Sequence, residues 1–224
     1  LTLILKRKNI SKISPLISNN SKYVGCRIPN HPIAKSLLKV IDFPIAAPSA
    51  NISKKLSSTN IDHISTKVKN KVFILDGGST PLGMESTVIK TNKNSLEILR
   101  QGSITHEEIK KKFPKINILL RSSNNLSPGQ QKKHYSPNLP IRINVKSILK
   151  NEVLLNFGKN NLKSKIFELN LSPKGDLSEA SKQFYNYLHI LDKVKCSRIA
   201  VAPIPNNKLG AAINDRLKRA SSKN

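Results

Sequence analysis

The chain has 224 residues, a formal net charge of +26 and few aromatic residues, so it can bury a sizeable core in one large or two modest domains. Cys26 and Cys196 make no C-x-x-C or Cys/His metal spacing, and two isolated thiols suit a reducing, cytoplasmic setting. No apolar run reaches the length of about 18 residues that a membrane-spanning helix needs. The charge attracts polyanions, yet the lysines are spread along the whole chain and no aromatics are interleaved with them, which argues against a stacking platform for single strands and leaves the charge permissive for ATP or tRNA.

The opening LTLILK reads as a strand. It starts on Leu1 and the one methionine is Met84, so the expectation is a fragment or processed product whose opening strand is interior to a longer domain. Val24 to Pro29 predicts a second strand closed by proline. Asn30 then caps a helix with Pro32 in its first turn and Ile33, Leu37, Leu38 and Ile41 on one face. The run from Pro44 to Ala47 predicts a buried strand that empties at Pro48 into a loop rich in hydroxyl and amide groups: Ser49, Asn51, Ser53, Ser57, Ser58 and Thr59. Loops at strand ends are where α/β sheets place ligands, although a serine-rich turn before a helix cap explains the stretch equally simply.

Ser58 or Thr59 is expected to cap the next helix, with Ile61, Ile64 and Val68 buried. Val72 to Leu75 reads as a buried strand running into Asp76-Gly77-Gly78. TVIK and LEILR pair as a hairpin across Asn92 to Asn94, Thr105 and Glu108 form a capping box, and Ile116 to Leu120 is a strand. Residues 121–140 lack apolar periodicity and read as a linker. Beyond them IRINV, EVLLNF and IFELN are strands. Leu177 to Val194 is a helix with Leu177, Ala180, Phe184, Leu188 and Leu191 on one stripe. RIAVAPI is a strand, and a last helix lies near Ala211 to Arg219. Strands alternating with helices make the fold class α/β.

Nucleotide-binding glycine loops, zinc motifs and nucleophile elbows are absent from the sequence. No spacing among Asp42, Asp62, Asp76, Glu85 and Glu97 selects a catalytic pair. What remains is a polar set of hydroxyl, amide, imidazole and guanidinium groups without an evident general base, which suits the holding of a carboxylate and phosphates. Arg27 and Arg100 each end a strand, where a guanidinium can clamp an anion with two bonds or lie on the surface with its stem packed.

The order of motifs is more specific than any one of them. V-G-C-R-I-P-x-H-P, A-P-S-A-N-I-S, L-D-G-G-(x)4-G-M-E-S-T-V-I, I-L-R-Q-G-S-I-T and S-P-G-(x)4-H-Y-S-P, followed by G-D-L-S-E-A and G-A-A-I-N-D-R-L-K-R-A, closely resemble the long, two-domain form of the threonylcarbamoyl-AMP synthase family. The resemblance runs from Leu1 to Asn224 and implies a YrdC-like twisted mixed sheet with helices over residues 1–120, incomplete at its start. It further implies a linker over 121–140 that closes the active site, and a small Rossmann-like α/β domain over 141–224.

The implied reaction joins ATP, L-threonine and bicarbonate into threonylcarbamoyl-AMP and pyrophosphate, with magnesium accompanying ATP, for tRNA threonylcarbamoyladenosine modification. Partners implied beyond the substrates are tRNA or the downstream modification proteins, with neither membrane nor DNA. By position, Arg27, Ser49 and Ser86 match threonine contacts. Tyr23, Asn51, Thr59, Arg100, His134 and Tyr135 match the ATP side, the last two in the linker motif that caps the adenylate.

The family's upstream K-x-R pair and P-T-E-T-x-Y-G segment would precede Leu1. Lys54 stands where glycine is usual, Ser58 where proline is, Tyr23 where threonine is, and Gln101 where proline commonly follows the arginine. Two rival readings remain on these residues: a non-catalytic basic module that binds RNA or tRNA, and an inactive gene fragment without the upstream half of the site.

Overall fold

The computed structural model describes residues 1–8, 13–18, 20–120 and 135–222. In chain order the elements are β1 (Thr2–Lys6), β2 (Tyr23–Cys26), α1 (Pro32–Val40), α2 (Thr66–Lys69), β3 (Val88–Thr91), β4 (Ser95–Arg100), α3 (His106–Lys112) and β5 (Asn117–Leu120). There follow β6 (Ile141–Arg142), β7 (Glu152–Asn156), β8 (Glu168–Asn170), α4 (Leu177–Leu191), β9 (Arg198–Val201) and α5 (Lys208–Ser221). The described residues fall into two compact units. One takes those within Leu1–Pro48 and Ser86–Gln130, the other those within Ser49–Glu85 and Gln131–Asn224.

In the first unit five strands pair in the order β2-β1-β3-β4-β5. The β1–β3 and β4–β5 pairs are parallel and the other two antiparallel, so the sheet is mixed. Alternation sends Ile4, Val88 and Leu99 into one small core and Ile89 and Ile98 into another, where they meet Ile109 of α3. The expected capping box holds α3: Thr105 accepts from the Glu108 amide, and the Glu108 carboxylate accepts from the Thr105 amide at 2.7 Å. A register shift between Val88 and Ile89 places Leu99 as an extra residue on β4, and Arg100 lies just past it. Such bulges re-aim the end of a strand.

In the second unit four parallel strands run β6-β9-β7-β8. Ile141, Ile199 and Val153 are cross-strand neighbours, as are Val201, Leu155 and Leu169. These rows belong to one apolar cluster with Phe184, Leu188 and Leu191 of α4 and Ile213 and Leu217 of α5. Asp176 starts α4 by accepting from the Ser178 and Glu179 amides. Glu152 is buried at the head of β7, where both its oxygens accept from Arg142, at 3.0 and 2.5 Å. Burial alone would raise the Glu152 carboxyl, but the Arg142 bonds and the Leu149 amide hold it below its ordinary range.

Several expectations are corrected. No strand forms over Pro44 to Ala47 or Val72 to Leu75; both runs are irregular, with Ile45 46%, Val72 54% and Phe73 92% exposed. Apolar character predicts burial, but a strand also needs a neighbour for its ladder, and neither run pairs in the two sheets. The first helix is capped at His31 rather than Asn30, and none of its residues is buried. Thr59 caps nothing. Asn60 instead accepts from the amides of a single turn at Ile61–His63, and Ser65 precedes the short α2, neither of which buries a residue. The helix expected to reach Val194 ends at Leu191.

Candidate active site

In the first unit the sheet gathers three of the sequence-nominated residues at one end. Thr2 opposes Val88 across β1 and β3, and Val88 opposes Arg100 across β3 and β4. Arg27 directly follows β2, in which Cys26 opposes Leu3. Ser86, two residues before β3, is buried, with its hydroxyl 2.7 Å from the Thr2 hydroxyl. Arg100 donates through Nε and Nη2 to the Ser86 carbonyl at 3.2 and 2.9 Å, and through Nη2 to the Ser86 hydroxyl at 3.3 Å. Thr87 is fully buried and exchanges bonds with the Ile104 backbone, which pins the next position.

Ser86 is therefore a held hydroxyl, and Arg100 is the group that orients it. Arg27 is exposed. The result is a cationic strand end with one fixed hydroxyl, an arrangement fitted to a small carboxylate. Tyr23 is not part of it. It sits at the opposite end of β2, paired with Lys6, its ring against Ile4, Val88 and Leu99 and the Lys90 ammonium 4.4 Å from the ring centre.

In the second unit the A-N-I-S turn closes on itself and meets the end of the linker motif. The Asn51 amide donates to the carbonyls of Ile52 and Lys55, both at 3.0 Å. Lys54 has φ of 69°, a left-handed conformation in which a side chain is strained, so this turn favours the glycine that Lys54 replaces. Its carbonyl accepts from the Ser136 amide at 3.0 Å, and Lys55 Nζ donates to Asn138 at 2.5 Å. Two motifs some eighty positions apart are thus joined by backbone.

Ser49 is exposed. Thr59 is buried, with its hydroxyl 3.1 Å from His63 Nδ1 and its amide donating to the same nitrogen at 3.2 Å. The His63 and His189 rings stack with centroids 3.9 Å apart. Burial, then the charges of His189 and Lys193, push His63 down to about 4. Tyr135, expected over a nucleotide, is 3% exposed and packed in the core with Leu56 and Tyr185. His134 lies outside the described residues.

Sequence reasoning overlooked the Glu85 network. One oxygen of Glu85 accepts from Ser57 at 2.6 Å and from Tyr185 at 2.7 Å; the other is 3.1 Å from Arg216 Nε. The signal available was the glutamate of M-E-S-T beside the arginine of I-N-D-R, two charged residues inside motifs that had already been singled out. No group of three or more His, Cys, Asp or Glu side chains among the described residues could hold a metal.

A family model described as "Telomere recombination" matches residues 1–102, and one described as "Threonylcarbamoyl-AMP synthase, C-terminal domain" matches residues 104–222. The threonylcarbamoyl-AMP synthase of Bacillus subtilis is 30% identical over a 240-position alignment that covers 99% of this chain and 69% of that protein. The chain belongs to the threonylcarbamoyl-AMP synthase family. The synthase of Pyrococcus abyssi is likewise 30% identical, with 99% of this chain and 70% of that one covered.

Among solved structures, P. abyssi Sua5 complexed with L-threonine superposes with a TM-score of 0.83 at 28% identity, covering 98% of this chain and 69% of that chain. A doubly substituted variant of the same protein gives 0.76 at 26% identity, over 98% of this chain and 68% of the other. The synthase reading of the motifs holds on these comparisons, and so does the fold of a twisted mixed sheet followed by a parallel α/β domain. The chain is of a nucleotidyltransferase-type enzyme of tRNA modification, not a non-catalytic basic module. No helix among the described residues is long and apolar enough to cross a membrane.

Proposed function

We propose that this synthase uses ATP, L-threonine and bicarbonate as its substrates, in the cytoplasm. The observation that carries the reading is the strand end of the first unit, where Arg100 fixes Ser86 and Arg27 adds a second guanidinium. An amino acid carboxylate there gains a charge-assisted bond from Arg27, and its side-chain hydroxyl finds a partner in Ser86. In the second unit Ser49 matches a threonine-contact position of the family's motif, and Asn51 and Thr59 match nucleotide-side positions. Residues 1–120 form part of the catalytic domain, 121–140 with His134 and Tyr135 the closing linker, and 141–224 the small domain.

The chemistry needs little from a protein base. The threonine amine condenses with bicarbonate to a carbamate, releasing water. A carbamate oxygen then bonds to the α-phosphorus of ATP as the α–β bridging P–O bond breaks, giving threonylcarbamoyl-AMP and pyrophosphate. The carbamate decomposes in water, so a linker that excludes solvent protects it. Displacement at phosphorus relies on positioning and charge, which arginine, serine and asparagine side chains supply. Magnesium enters as the ATP complex; among the described residues no group of three or more His, Cys, Asp or Glu side chains could hold it.

The test is pyrophosphate release by the full-length protein, expected only when threonine and bicarbonate are both present. Arg27→Ala is expected to raise the KM for threonine about tenfold or more, the worth of one charge-assisted contact. Release that ignores threonine overturns the reading.

A further inference from the structure

The loop leading into the E-S-T motif is gripped on several sides by α4 and α5. The Leu82 carbonyl accepts from the Ser181 hydroxyl at 2.6 Å. Gly83, at φ of 62°, lies so close to α4 that a Cβ there would fall 2.3 Å from the Ser181 carbonyl oxygen and 2.7 Å from that of Lys182. Two residues on, Glu85 takes Tyr185 and Ser57 on one oxygen and Arg216 on the other.

Arg216 is among the largest fully buried side chains of the described chain. Its guanidinium carbon stands 5.2 Å from the centre of the Tyr135 ring, which is itself tilted against Tyr185 at 6.1 Å. A second carboxylate, Asp215, accepts from its Nη1 at 2.9 Å. Burial alone would make this guanidinium easier to deprotonate, but Glu85, Tyr185, Tyr135 and Asp215 together more than offset that, so it stays a cation. A buried cation is tolerated only where its partners stand in place, and here one cation faces two segments fifty positions apart in sequence.

We propose that Arg216 is a positioning residue of the synthase, a single buried cation on α5 that sets both Glu85, beside the E-S-T hydroxyls, and Tyr135, at the end of the linker motif. It touches no substrate. Through Tyr135 it governs nucleotide binding, a consequence that rests on the nucleotide-side place the family resemblance implies for Tyr135. The carboxy-terminal helix thereby contributes to the site through a charge rather than through a ligand contact.

The test compares Arg216→Met, which keeps length and loses charge, with Arg216→Lys and Tyr185→Phe in the full-length protein, reading hydrogen exchange and steady-state kinetics together. Arg216→Met is expected to raise amide exchange at residues 82–85 and 135–138 by about tenfold or more, the loss of one charged contact. The KM for ATP rises by about the same factor while kcat stays within about twofold. Arg216→Lys recovers part of both, and Tyr185→Phe, which removes one bond to Glu85, moves both in the same direction by about threefold.

A folded Arg216→Met with wild-type exchange at both segments overturns the proposal. Should that variant not fold, Tyr185→Phe decides by the same two readouts, and unchanged exchange in it overturns the proposal equally. If exchange responds as expected while the KM for ATP does not, the clamp holds and the nucleotide-side role of Tyr135 is what fails.

Discussion

Every residue of β7 in the second unit is buried, and Val153, Leu154 and Leu155 have no exposed surface. In the first unit β4 is also buried at its centre and β3 over its first two residues, but among the described residues the two clusters they feed hold three buried side chains each, against sixteen around β7. Both sheets are built of the same branched residues at similar spacing. What separates them is cover: two long amphipathic helices deliver Phe184, Leu188, Leu191, Ile213 and Leu217 to one cluster, whereas α3 delivers only Ile109 and α1 buries nothing. Burial rather than strand propensity therefore sets where stability concentrates.

The largest effect that would break this contrast comes from core truncation. Leu155→Ala is expected to cost about 3–4 kcal/mol in chemical unfolding, with Ile4→Ala costing nearer about 2 kcal/mol because its thin cluster can collapse around the gap. Equal losses would mean that the five-stranded sheet is as well supported as the four-stranded one.

Acid sharpens the contrast next. His63 is held at about 4 against an ordinary value of 6.5, and burial lowers its stacked neighbour His189 as well, so the unfolded chain binds these protons more tightly. Stability from this pair is whole above about pH 6.5 and is lost as pH falls towards 4, by on the order of 2 kcal/mol once partial exposure is discounted. Exchange protection in the second unit should fall over that window, and His63→Gln should flatten the decline. Lys193 and Asp62 also face His63, with opposite effects, so the decline should keep some dependence on salt.

A smaller change is expected at the A-N-I-S turn. Lys54→Gly removes the left-handed strain at φ of 69° and should stabilise the second unit by about 0.5–1 kcal/mol, read as a rise in melting temperature. The smallest concerns Phe73. At 92% exposed it contributes nothing to the core, so Phe73→Ser should leave stability within about 0.5 kcal/mol while reducing self-association in light scattering.

Much of the strand and helix order was legible because alternation and capping are local. The hairpin over Val88–Arg100, the capping box at Thr105 and the apolar stripe of α4 all follow from residues within a few positions of one another. Pro44 to Ala47 and Val72 to Leu75 misled for the converse reason, since whether an apolar run becomes a strand depends on a partner elsewhere in the chain.

The motif order by itself determined the family, the reaction class and the nomination of Arg27, Ser86 and Arg100, because those signals are carried by residue type and sequence spacing. Only the tertiary structure decided that Arg100 spends its fork on Ser86, that Tyr23 stands at the far end of its strand, and that Tyr135 lies in a core against Arg216. It also joined Glu85 to Ser57, Tyr185 and Arg216. Hydrogen bonds and buried charges act over a few ångströms between positions far apart in the chain, and one-dimensional spacing does not encode that distance.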